Sequence, residues 1–217
     1  MLKIEKTEVY GWEAAIRGMR NPKNSWDKSD SGWTHFPEGR KVVQTDGEYD
    51  FVVGENDLKL MKNLSKASND HGKFLRMINV TCDITAPLYW WKEFDTYKVG
   101  TVANSCSTMH KIQAKVFTLD DFSHEHLDKE ELDIMETVIY SLNWNREKFI
   151  ETNDKCYWWR MIQMLPSPYN QKRTVQLNYQ VLKSMYFARR NHKLDEWHTL
   201  CEWMESLPYF KEICIKE

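Results

Sequence analysis

The chain has 217 residues, 41% hydrophobic and 29% charged, with a formal net charge of −2. That suits one domain over residues 1–217 with a full core, and it excludes a disordered chain. The balanced charge leaves no broad basic field for a nucleic-acid backbone, and no apolar run reaches the length of a membrane-spanning helix. The opening Met-Leu-Lys-Ile-Glu-Lys lacks the apolar stretch of a secretory signal. The five Cys are odd in number and form no Cys-x-x-Cys pair, so reduced thiols, a cytoplasmic location and no metal site are expected.

Lys3 to Tyr10 alternates well enough for a first strand, and Trp12 to Met19 suits a short helix. Asn21 to Gly47 is rich in Asn, Asp, Ser, Gly and Pro and reads as a long loop or ligand-proximal excursion. Glu55 to Ala67 carries Leu58, Leu60, Met61 and Leu64 at helical spacing, with Asn56 or Asp57 able to cap it. Phe74 to Trp91 is strand-like, and Pro87 belongs near a strand end or an edge. Lys111 to Leu119 alternates again. Leu127 to Ile150 is helical, with a break left open around Leu142 to Asn145. Asp154 to Leu165 is a further helix, stopped by Pro166 and Pro168. Gln171 to Arg190 reads as one long helix, and Leu194 to Leu207 as the last. Strands concentrated early and helices late predict an α+β fold.

Two separated stretches carry chemistry. The first runs from Ala86 to His110: Ala-Pro-Leu-Tyr-Trp-Trp-Lys-Glu-Phe-Asp-Thr-Tyr-Lys-Val-Gly-Thr-Val-Ala-Asn-Ser-Cys-Ser-Thr-Met-His. The second opens on Leu165-Pro166 and continues through Thr174-Val175-Gln176-Leu177-Asn178 to Arg189-Arg190 and Leu194-Asp195-Glu196-Trp197. On one helix, Asn178, Leu182, Met185 and Arg189 would share a face, with Arg190 turned about 100° away. An amide and a guanidinium at the two ends of an apolar face suit the wall of a ligand pocket. The same arginines also suit a helix C-terminus through its dipole, paired with Asp195 or Glu196.

Together the two stretches resemble the signature regions of the flavin-dependent thymidylate synthases, over roughly Glu55 to Leu207. The resemblance implies an α+β fold with an antiparallel or mixed central sheet and a helical C-terminal half. It implies FAD as cofactor, a pyrimidine nucleotide such as dUMP as substrate, and a homotetramer. Catalysis would add NADPH and a folate one-carbon donor. Residue by residue, Asn104 and Ser107 match the Asn and second Ser of the family's polar cluster, and Thr101 stands in for its first Ser. Ser105 falls on the acidic position, and Met109-His110 on the Arg-Tyr. Arg189 matches the nucleotide-facing Arg, with Arg190 its neighbour in register. Asn178, Tyr97, Lys98 and Thr101 border the flavin in this alignment, while Asn104, Ser105, Ser107, His110, Arg189 and Arg190 face the substrate.

The family's Arg-His-Arg triplet falls on Thr96-Tyr97-Lys98, where only Lys98 keeps a charge, and Lys is a point charge where Arg is a planar fork. Met109 cannot make a charge-assisted bond to phosphate, whereas a protonated His110 could. His71 and Arg76 are candidate replacements for the His-rich segment that precedes the family's strand. These changes describe a divergent member. It is expected to transfer a one-carbon unit reductively to C5 of dUMP or a related nucleotide, with a non-catalytic or repurposed nucleotide-binding protein as the alternative.

Other constellations are weaker. His124-Glu125-His126 has no obvious third ligand and reads as a loop before a helix. Cys106 reads as a bystander and Lys172-Arg173 as a solvated face. The ten scattered Trp read as core and interface anchors, with stacking on a planar ligand open for one or two, and Trp90 and Trp91 undecided between the two.

Overall fold

A computed structural model describes residues 1–215. In chain order the elements are β1 (Lys3–Tyr10), α1 (Trp12–Arg20), β2 (Gly32–Thr34), β3 (Val42–Thr45), β4 (Asp50–Val52) and α2 (Glu55–Ala67). Then follow β5 (Asn79–Pro87), α3 (Leu88–Phe94), β6 (Val102–Ser105), α4 (Thr108–Lys111), α5 (Lys129–Thr152) and α6 (Lys155–Met164). The order ends with β7 (Asn170–Asn178), α7 (Tyr179–Arg189) and α8 (Asp195–Ser206). Four strands form one sheet in the order β1-β5-β7-β6, and β2-β4-β3 form a small antiparallel sheet. The α+β class expected from the sequence is the class observed.

Contacts divide the chain into two compact units. Among the described residues, one holds residues 1–3, 84–96 and 104–174; the other holds residues 4–83, 97–103 and 175–215. In the first, Ile112, Phe117, Phe122, Leu142 and Met161 form a buried cluster beneath the α5–α6 hairpin. Trp90, Trp91 and Phe94 of α3 form a second aromatic knot, with ring centroids about 5 Å apart. Both Trp are fully buried, so they are core residues, and Trp91 donates its Nε1–H to the Gln171 carbonyl at 2.9 Å. In the second unit Trp12 meets Tyr179 edge to face at 5.6 Å, and the Tyr179 hydroxyl donates to the Pro208 carbonyl at 2.7 Å. Around them Ile16, Met61, Ile78, Leu182, Trp197 and Phe210 are buried.

Local chemistry explains the element ends. α5 starts with a capping box between Asp128 and Glu131 and runs 24 residues without the break left open at Leu142 to Asn145. It stops where Asn153 turns left-handed. Pro87 ends β5, as expected, but the strand expected over Phe74 to Trp91 is confined to Asn79–Pro87, since Phe74 lies in a 3-10 turn and Leu88 to Trp91 open α3. At α2 neither Asn56 nor Asp57 is the cap. Asp30 reaches in from the preceding excursion and accepts from the Asn56 and Asp57 N–H groups at 2.9 and 3.1 Å. Gly54 makes room for it, since a Cβ there would lie 2.2 Å from the Asp30 carboxyl carbon.

Three expectations are corrected. Gln171 to Arg190 is not one helix: Asn170–Asn178 is a strand, with Val175 and Leu177 buried and Thr174 and Gln176 exposed, and only Tyr179–Arg189 is helical. Lys111 to Leu119 is not a strand. Asn143 clasps both the N–H and the carbonyl of Phe117 at 2.8 and 2.9 Å, so a side chain takes the place of a sheet partner. The Asn21 to Gly47 excursion is more ordered than a loop and holds β2 and β3.

Candidate functional site

The second unit holds Tyr97, Gly100, Thr101, Asn178 and Arg189, with Gly100 near the start of α7 and Tyr97 at its end. Asn178 is the helix N-cap, in extended conformation, and its side-chain oxygen accepts from the Val181 N–H at 3.0 Å. It therefore stands before the helix, not on the face the sequence reading gave it. Leu182 and Met185, which that reading placed on a pocket wall, are fully buried in the core. Gly100 packs on this helix start with φ +78°; a Cβ there would lie 2.9 Å from Val181 Cγ2 and 3.1 Å from Asn178 Nδ2.

Arg189 closes the helix. Its Nε–H donates to the Tyr97 hydroxyl at 3.0 Å. Its guanidinium lies 4.7 Å from the Trp197 ring centre and 5.6 Å from that of Tyr97. The two rings meet edge to face at 6.1 Å, and Trp197 is fully buried. A guanidinium held against two rings has little rotational freedom, a geometry suited to receiving an anion. Arg190 is exposed and lies over the Phe187 ring at 5.2 Å. Lys98 is exposed. The Thr101 hydroxyl is buried and has no hydrogen-bond partner among the described residues.

The first unit holds the remaining candidates. Asn104 and Ser105 end β6, exposed, with no side-chain hydrogen bond among the described residues. The Ser107 hydroxyl caps α4 by accepting from the His110 N–H at 3.0 Å, and the His110 side chain is exposed. Cys106 is pinned on both sides: its N–H donates to the Lys172 carbonyl, and its carbonyl accepts from Gln171 Nε2, each at 2.9 Å. A cavity of about 280 Å³ lies here, lined by Cys106, Ser107, Lys115, Asp121, Tyr169 and Lys172. Burial pushes the Tyr169 phenol up, so it stays protonated and able to donate at neutral pH. Arg173 is already engaged: it binds Asp95 at 2.7 Å and Gln171 at 3.0 Å, and covers the Trp91 ring at 4.1 Å.

His71 lines a larger cavity of about 1090 Å³ in the second unit, with Lys23, Lys28 and Lys73 also on its wall. Arg76 is exposed. In the first unit His124 bonds the Phe122 carbonyl at 2.8 Å and Glu125 pairs with the N-terminal amine at 2.8 Å. The sequence reading missed Trp197 as the ring under Arg189. Its position three residues after Leu194, at the start of a helix following Arg189-Arg190, was the available signal.

No family model matches the chain, and no curated protein matches it in sequence. Among solved structures it is similar to the flavin-dependent thymidylate synthase ThyX of Helicobacter pylori complexed with FAD and dUMP. The TM-score is 0.66 at 16% identity, covering 99% of this chain and 100% of that one. A second Helicobacter pylori ThyX structure with FAD and dUMP matches at TM-score 0.66 and 14% identity, over 99% and 98% of the two chains. The chain thus has the fold of the ThyX flavin-dependent thymidylate synthases.

Proposed function

We propose that the protein is a divergent flavin-dependent thymidylate synthase-like enzyme that binds a pyrimidine nucleotide and FAD and transfers a one-carbon unit reductively to C5 of dUMP or a close relative. The observation that carries this reading is the Arg189 guanidinium, held by the Tyr97 hydroxyl and the Trp197 ring at the end of α7. Arg189 is the charge partner for the nucleotide: its planar fork suits a phosphate or a pyrimidine carbonyl, and the rings hold it at a fixed angle. Arg190 is a secondary contact. In the first unit, Asn104, Ser105, Ser107 and His110, whose side chains donate and accept, are separately proposed as nucleotide ligands.

The residues of the second unit fit a flavin on two observations. The buried Thr101 hydroxyl lacks a partner, and the left-handed Gly100 keeps the loop clear of a side chain beside Asn178. Thr101, Asn178, Tyr97 and Lys98 would hold the group, with the Lys98 ammonium suited to its pyrophosphate. When bound, FAD supplies hydride chemistry that no side chain can. NADPH as reductant, a folate as one-carbon donor, assembly as a homotetramer and a cytoplasmic location complete the proposal. Among the described residues no helix is long and apolar enough to cross a membrane.

A second reading is a nucleotide-binding protein without catalysis. It is favoured by Thr96-Tyr97-Lys98 at the place of the Arg-His-Arg triplet, where Tyr97 serves to bond Arg189. Thymidylate formation from dUMP, NADPH, FAD and methylenetetrahydrofolate separates the two. Turnover abolished by Arg189→Ala supports the enzyme; nucleotide binding without turnover supports the binder.

A further inference from the structure

A separate cavity of about 610 Å³ lies in the second unit, between one face of α1 and the excursion that follows it. We infer that this cavity is a binding site for a planar nitrogen heterocycle that presents paired N–H donors and carries an anionic group, the chemistry of a guanine mononucleotide. Its size falls within the ordinary range of small-molecule sites. This inference is independent of the Arg189 reading.

The walls are aromatic and fixed. Trp26 is 51% exposed, yet its Nε1–H is tied to the Asn21 side chain at 2.8 Å, and it meets no other ring among the described residues. It is a preformed stacking face without a stacking partner. Trp33 is held from two sides, edge to face on buried Phe51 at 5.2 Å and by donation from Nε1 to Glu13 at 3.3 Å. The loop that carries both rings is anchored from below by the buried Arg20–Asp57 pair, since Arg20 also binds the Ser25 and Lys28 carbonyls at 3.0 and 2.9 Å. Ordering cost is thus met before a ligand arrives.

The polar groups define the rest. Glu13 and Arg17 sit one helical turn apart on the same wall. A carboxylate only accepts, so Glu13 selects a ring edge with N–H donors; the N1–H and amino group of guanine offer two, whereas the corresponding edge of adenine mixes donor and acceptor. Arg17 only donates, and makes no hydrogen bond, ion pair or ring contact among the described residues, so it calls for an anion. Stacking on Trp26 supplies sequence-independent affinity for the ring.

The test is calorimetric titration of the full chain with GMP, AMP and guanosine. Binding of GMP at least tenfold tighter than AMP and than guanosine is expected. Glu13→Gln should erase the preference for GMP over AMP, Arg17→Ala the preference over guanosine, and Trp26→Ala should weaken all three at least tenfold while Trp26→Phe restores them. Unchanged melting temperatures establish that each variant is folded. Saturating dUMP should leave GMP binding unchanged. Absence of GMP binding to the wild type, equal affinity for AMP, or displacement by dUMP overturns the inference.

Discussion

The buried Arg20–Asp57 pair ties α1 to α2 in the second unit, and Asp57→Ala tests how its excursion is held. The Asp57 side chain has no exposed surface and that of Arg20 only 5%, with Nε and the carboxylate 2.6 Å apart. Asp57 also accepts from the Ser29 and Ser31 hydroxyls at 2.7 Å and from the Asp30 and Ser31 N–H groups at 3.1 Å. Truncating it strands a buried guanidinium and four donors, so a loss of about 3–5 kcal/mol is expected. For a chain of this size that is a fall in melting temperature of about 6–20 °C. Arg20→Ala/Asp57→Ala should lose less than the sum of the single changes, because no lone charge remains. The acid limb carries a second signature. Burial raises the Asp57 pKa, but the Ser29 and Ser31 hydroxyls and the Arg20 guanidinium outweigh it, leaving it below the ordinary carboxylate value. Its stabilisation is therefore present above pH ~4 and lost as pH falls through the lower folded value, so the acid-side loss should shrink in Asp57→Ala. Thermal melts by circular dichroism between pH 3 and 7 measure both. A fall under about 2 °C, or strict additivity of the pair, would refute the reasoning.

The other predictions follow from particular contacts. Arg189→Ala should weaken dUMP binding at least tenfold while exposed Arg190→Ala changes it less than threefold, measured by calorimetry; the reverse order would exchange their roles. Gly100→Ala must force a left-handed residue against Val181, costing about 1–3 kcal/mol, and should weaken FAD binding with it. Burial raises the thiols of Cys82 and Cys214 to about 12 and of Cys201 to about 11, whereas Cys106 and Cys156 are exposed. A thiol reagent at neutral pH should therefore titrate two cysteines in the native protein and five after unfolding.

Elements with a strong local signal were legible. β1 and α2 have the bounds that alternation and helical spacing predict, although burial does not follow either pattern: β1 is not alternately buried, and α2 buries Asp57 and Ser65 beside Met61. The Asn170–Arg189 segment was not, since no Pro or Gly marks its change from strand to helix. The mark is Asn178, a cap that reads as helix interior until pairing within the sheet is known. Lys111 to Leu119 misled in another way: Ile112 and Phe117 are buried, but the bonds that satisfy Phe117 come from Asn143, 26 residues away. Of the candidate site, the neighbourhood of Arg189 could be read as a helix end bearing a charge. Its clamp could not, because the Tyr97–Arg189–Trp197 stack joins three separated segments.

The central claim is best tested by the visible absorption spectrum of the purified protein, incubated with FAD, freed of unbound cofactor and then titrated with dUMP. The proposed function predicts a retained flavin spectrum that shifts on adding dUMP and fails to shift in Arg189→Ala. A protein that keeps no flavin and shows no response to dUMP would contradict it.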